Sequence, residues 1–146
     1  MTHLALATGA RGILYYWCQT LAPDLPALVD WVSLQPVDGK FEATAQMAAL
    51  VSRHAELLAS LQPGDRNVQR TNPDVAVEPL KNDDGRFLYV VNMNTRKKNA
   101  CRLEPLEVDV RDLYSDDVLP AEDGGVSVPL SPGQGRLLAV GEKRPQ

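Results

Sequence analysis

Two hydrophobic rhythms divide this chain near residue 74. From Phe41 to Leu61, apolar or small positions recur at three- and four-residue steps through Thr44, Met47, Ala48, Val51, Ala55, Leu58 and Leu61. Glu42, Gln46, Arg53, Glu56 and Ser60 fall on the other side. That period matches the helical turn, so the segment predicts one long amphipathic helix. Asp38-Gly39 precedes it as a turn, and Pro63-Gly64-Asp65 ends it. From Asp74 onward the rhythm shortens to β-like runs: Val75 to Leu80, Phe87 to Met93, Ala100 to Val110, Val118 to Leu119, Val126 to Leu130 and Arg136 to Val140. Asp84-Gly85, Asp123-Gly124-Gly125 and Pro132-Gly133 supply turn chemistry between them, the spacing of an antiparallel β-sandwich.

The first residues add a second helix and an unusual strand. Thr2 to Ala10 is rich in Ala and Leu, and Gly9 supplies a stop. Arg11 to Cys18 then reads as a strand that is apolar on both faces, a pattern of strands covered on both sides in a parallel sheet or barrel. The expected organisation is α+β: residues 1–62 as the incomplete end of a (β/α)8 barrel (one strand with one or two helices), 63–73 as a linker, 74–141 as a small antiparallel β-sandwich and 142–146 as a tail.

Composition narrows the function classes. With 44% hydrophobic and 23% charged residues over 146 positions, the chain has the make-up of a globular protein. A formal charge of −4 provides no broad positive field for a phosphate backbone, so nucleic acid is excluded as a partner. The longest apolar run, Ile13 to Cys18, is far too short to cross a bilayer, and no membrane partner is expected. No basic stretch followed by an apolar core opens the chain, which therefore carries no address that assigns a compartment. Cys18 and Cys101 fall in different predicted domains and are expected free, and two thiols with two histidines make no zinc set. Neither a metal nor a cofactor is expected.

Three segments carry a resemblance. Gly9-Ala10-Arg11-Gly12-Ile13-Leu14-Tyr15-Tyr16-Trp17, then Val37-Asp38-Gly39-Lys40, then Met47 to Leu58 ending in Arg53-His54-Ala55-Glu56-Leu57-Leu58 together resemble the close of the catalytic barrel in family 42-like β-galactosidases. Gly85-Arg86-Phe87-Leu88-Tyr89-Val90-Val91-Asn92 and Leu130-Ser131-Pro132-Gly133 look like the accessory sandwich after such barrels. The chain lacks a counterpart of that family's larger trimerisation domain.

The resemblance implies a C-terminal part of a retaining O-glycosidase without catalytic residues of its own, since the acid/base and nucleophile glutamates of the clan stand on earlier strands. Retention requires two carboxylates about 5–5.5 Å apart, and no pair here is a credible substitute. The resemblance also places Trp17 as the aromatic floor beneath the sugar, a role that suits an indole because the apolar face of a pyranose stacks on a flat π surface. Tyr15 shares its strand face by alternation, and Tyr16 does not. In the family the peptide after this Trp is often cis, which would apply to Trp17-Cys18. The implied partners are carbohydrate, once the barrel is complete, and the upstream barrel polypeptide.

Other features read as structural. His54 lies beside the helical stripe with no nucleophile at useful spacing, and His3 is near the terminus. Asp83-Asp84, Asp116-Asp117 and Glu122-Asp123 coincide with turns and lack calcium-loop spacing, while Arg96-Lys97-Lys98 reads as a charged hairpin end. The competing function is a stand-alone β-sandwich module with a binding or structural role and no catalysis.

Overall fold

The computed structural model describes residues 2–10, 19–20, 29–30, 33–36, 39–64 and 68–141. Helix α1 spans Thr2–Ala7, and two short strands, β1 (Gln19–Thr20) and β2 (Val29–Asp30), pair in parallel. Helices α2 (Lys40–Arg53) and α3 (Ala55–Ser60) follow. The strands after them are β3 (Gln62–Pro63), β4 (Gln69–Arg70), β5 (Val75–Lys81), β6 (Arg86–Asn92), β7 (Asn99–Glu104) and β8 (Val110–Asp112). The last are β9 (Val118–Leu119), β10 (Ala121–Glu122), β11 (Gly125–Leu130) and β12 (Gly135–Val140).

The chain is α+β, as expected. It divides into two units, residues 12–59 in one and residues 1–11 with 60–146 in the other. In the first, the expected single helix is interrupted at His54, whose φ of −109° and ψ of 19° leave the helical region and separate α2 from α3. Met47, Leu50, Val51, Leu57 and Leu58 on its stripe are half-buried, while Phe41 is exposed. The strand expected from Arg11 to Cys18 lies outside the described residues.

The second unit is a sandwich of two antiparallel sheets. One runs in the order β3-β5-β6-β12-β8-β9 and the other β10-β11-β7-β4. Their facing sides form a single core: Val75, Leu88, Val90, Val110 and Leu138 from the first meet Cys101, Leu103, Val126, Val128 and Leu130 from the second. Burial along β11 alternates, with Val126, Val128 and Leu130 inward and Ser127 and Pro129 outward, so the second sheet shows one face to solvent. The first sheet behaves differently. On β6 every residue from Phe87 to Asn92 is buried, because α1 packs against β5 and β6 on the face away from the core and contributes buried Leu6 and Ala7. The amino-terminal helix thus sits with the sheets, and residues 63–73, expected as a linker, add an edge pair to each sheet through β3 with β5 and β4 with β7.

Two expected runs have a different form. Ala100 to Val110 divides into β7 and β8, because Pro105 has no N–H to continue the ladder and the chain leaves the sheet there. β6 and β7 belong to different sheets, so the segment around Arg96-Lys97-Lys98 is an arch between sheets rather than a hairpin end.

Candidate functional site

Trp17 and Tyr15, the residues expected to bind sugar, lie outside the described residues, as does the Trp17-Cys18 peptide. The described residues bring together a different set of polar side chains where α1, β6, β8 and β12 meet. Tyr89 occupies the outer face of β6, one residue out of step with the core-facing Leu88 and Val90. Its ring is fully buried, so its hydroxyl needs a partner inside the protein. It has two: His3 Nδ1 at 3.1 Å and the Tyr114 hydroxyl at 2.7 Å. The three rings sit with centroids 6.1 Å apart.

Gly135 makes the approach of His3 possible. A Cβ at that position would collide with His3 Cγ, so any side chain on β12 there would displace the imidazole. On the far side of Tyr114, the Asp112 carboxylate is buried at 1% exposure and accepts hydrogen bonds from the Tyr114 backbone N–H at 2.9 Å and the Ser115 hydroxyl at 3.1 Å. The guanidinium of Arg136 lies 3.4 Å from the same carboxylate. That spacing is an ion pair without hydrogen-bond alignment, and Arg136 Nε and Nη1 have no hydrogen-bond acceptor among the described residues.

Burial dominates the electrostatics. His3 is pushed down to about 4, first by desolvation and then by the positive amino terminus. Desolvation also raises Tyr114 to about 12; its hydrogen bond with Tyr89 opposes the rise and the Asp112 charge adds to it. Tyr89 is raised further, again chiefly by burial. At neutral pH the cluster is therefore a neutral imidazole against two neutral phenols, with its one carboxylate committed to Arg136. This is the chemistry of a structural clasp, since neither the imidazole nor either phenol is poised to exchange a proton near neutrality.

Of the acidic pairs, Glu122 belongs to β10, and the other residues lie in the connections between strands. Asp116 and Asp123 adopt positive φ of 69° and 48°, and Asp116 accepts from Arg111 Nε at 2.8 Å. Asp83 and Asp84 are exposed. Among the described residues no group of three His, Cys, Asp or Glu side chains is placed to hold a metal ion. Cys101 is a free thiol in the core, and Cys18 lies outside the described residues. Sequence reasoning set His3 aside as terminal. The signal that points to it is Tyr89: a phenol on a strand apolar on both faces requires an internal polar partner.

No protein-family model and no curated protein matches the chain. Solved structures do. AmyP in complex with maltotriose matches with a TM-score of 0.56 at 19% identity, over 79% of this chain and 24% of that one. AmyP in complex with maltose matches at 0.53 and 18% identity, over 76% and 23%. An Anoxybacillus α-amylase, described as representing a new glycosyl hydrolase subclass, matches at 0.52 and 14% identity, over 69% and 24%. This chain spans about a quarter of the length of these solved chains. The likeness is one of fold, and it extends over most of this chain.

Proposed function

We propose that this chain is part of a glycoside hydrolase, contributing a supporting β-sandwich and, through Trp17 and Tyr15, a sugar-stacking floor to an active site whose acids stand on other sequence. The observation that carries the reading is the partial fold match: most of this chain aligns to about a quarter of chains solved with maltotriose or maltose. In the finer form the enzyme is a retaining, β-galactosidase-like O-glycosidase, on the resemblance of the Gly9 to Trp17 segment. Asp112, the buried carboxylate of the described residues, is held by Arg136, Tyr114 and Ser115 and is unsuited to act as nucleophile or acid. The chain alone is therefore inactive. Carbohydrate and the remaining barrel polypeptide are its partners.

The alternative is a stand-alone β-sandwich with a binding or structural role and no catalysis, and its sugar-binding form is disfavoured by burial of the aromatics it would need. Phe87 is 3% and Tyr89 0% exposed, so neither offers a stacking surface. Purified chain is to be assayed with aryl β-galactosides, aryl glucosides and maltotriose, alone and co-expressed with an upstream barrel polypeptide. Hydrolysis only in the co-expressed sample supports the proposal, and the substrate turned over decides between β-galactoside and α-glucan specificity. Turnover by the lone chain would overturn it.

A further inference from the structure

Asp stands before Gly at Asp38-Gly39, Asp84-Gly85 and Asp123-Gly124. Such a pair is prone to rearrange, because glycine has no Cβ to keep its nitrogen away from the aspartyl side-chain carbon. Asp38 lies outside the described residues, and the other two pairs stand in turns of opposite character. Between β5 and β6, Asn82 Oδ1 accepts from the backbone N–H groups of Asp84 and Gly85, both at 3.0 Å, and Asn82 N–H donates to Gly85 O at 3.1 Å. The Gly85 nitrogen is thereby held facing Asn82, and Gly85 is half-buried beside the Phe87 ring. Between β10 and β11, the Gly124 N–H has no acceptor among the described residues. Asp123 and Gly124 are both exposed, and a Cβ on Gly124 would meet nothing within 4 Å, so this turn has space for a ring to close.

The carbonyl side of the same turn is fixed. Arg102 Nη2 donates to Asp123 O at 2.9 Å and to Glu122 O at 2.5 Å, while its Nε is engaged by Glu104. We propose that Asp123-Gly124 is a site of spontaneous isoaspartate formation, with Arg102 directing the product. The Gly124 nitrogen gives up its proton to solvent and attacks Cγ of the neutral Asp123 carboxyl group, whose hydroxyl leaves as water. The new N–Cγ bond closes a five-membered imide. Water then adds to the former backbone carbonyl carbon of Asp123, and the bond from that carbon to the Gly124 nitrogen breaks. The main chain now runs through Cβ and Cγ, and the released group is an α-carboxylate. One water leaves and one enters, so the net change is an isomerisation. Arg102 donates to the oxygen on which negative charge builds during that addition, and afterwards faces a carboxylate in place of a neutral carbonyl. Both effects favour isoaspartate over return to aspartate.

The test incubates the full chain for weeks at pH 7.5 in heavy-oxygen water, followed by trypsin, which places Asp38, Asp84 and Asp123 in separate peptides. Electron-transfer fragmentation locates isoaspartate, and heavy oxygen marks every residue that has passed through the imide, including those returned to aspartate. Isoaspartate is expected to accumulate at Asp123 at least about threefold faster than at Asp84, a ratio equivalent to the one hydrogen bond that holds Gly85. That gap should close in urea. Asn82→Ala is expected to raise the Asp84 rate by a like factor and leave Asp123 unchanged, and Arg102→Gln to lower the isoaspartate share among labelled Asp123. Equal rates at the two sites in the folded chain, a gap that persists in urea, or isomerisation confined to Asp38 would overturn the site. No response of Asp84 to Asn82→Ala would overturn the turn geometry as its cause, and an unchanged share in Arg102→Gln would overturn the directing role of Arg102.

Discussion

His3 Nδ1 lies 3.1 Å from the Tyr89 hydroxyl, a contact that joins residues 86 positions apart and fastens the amino-terminal helix to a central strand of the sandwich. The Tyr89 hydroxyl passes the connection to Tyr114 at 2.7 Å. Since His3 is neutral in the fold and ionises when released, the contact makes helix docking sensitive to acid.

The pH dependence has a definite sign. His3 has a folded value of about 4 against 6.5 when exposed, so between these values the unfolded chain binds the extra proton. Stability from this group is fully present above pH 6.5 and is lost as pH falls toward 4, by on the order of 2 kcal/mol after allowance for solvent screening. Urea unfolding of the chain and of His3→Gln at pH 7.5, 6.0 and 5.0 isolates the effect from the carboxylates. Parallel declines in the two proteins would refute it.

Gly135→Ala tests the docking sterically. The new Cβ would overlap the His3 ring, and overpacking of this kind costs about 1–3 kcal/mol. Amide exchange of residues 2–8 is expected to accelerate, with the β7–β11 pairing unaffected. Adding His3→Ala should recover much of the loss.

Asn92 is 1% exposed and ties three segments together. Its amide donates to Lys97 O and Ser131 O, both at 2.9 Å, and its oxygen accepts from Asn94 N at 3.0 Å and Asn99 Nδ2 at 2.8 Å. Asn92→Ala strands these groups and is expected to cost about 2–4 kcal/mol in denaturant unfolding. Asn92→Asp should cost at least as much, because a carboxylate would face two carbonyl oxygens.

Asp112 and Arg136 should show strong coupling. Asp112→Asn leaves the guanidinium buried without its counter-charge, a loss of about 3 kcal/mol. Arg136→Met in the Asp112→Asn background is expected to recover at least half of it in a double-mutant cycle. Additive losses would show that the pair contributes nothing jointly.

Much of the sandwich was legible from the chain. Val126 to Leu130 alternates apolar inward and polar outward because one face of its sheet meets water, and the observed β11 covers the same residues with one added at its start. Phe87 to Met93 read as a core strand and became β6, shifted by one residue. The break at Pro105 was missed because the apolar rhythm continues through it to Leu106 and Val110, although the hydrogen-bond ladder does not. The candidate sugar-binding residues, Trp17 and Tyr15, rested on resemblance alone, whereas the His3, Tyr89 and Tyr114 cluster came only from coordinates.

The order of short turns and alternating runs determined by itself that residues beyond 74 would form antiparallel strands with a shared apolar face, because side-chain period and turn chemistry are local properties. Which strands became neighbours, which sheet was covered twice and which helix covered it were decided by tertiary structure. Helix α1 has too few residues to declare its destination in its own sequence. It settles on β5 and β6 because that outer face is apolar, because Gly135 leaves room for an imidazole, and because the buried hydroxyl of Tyr89 requires a polar partner brought from far along the chain.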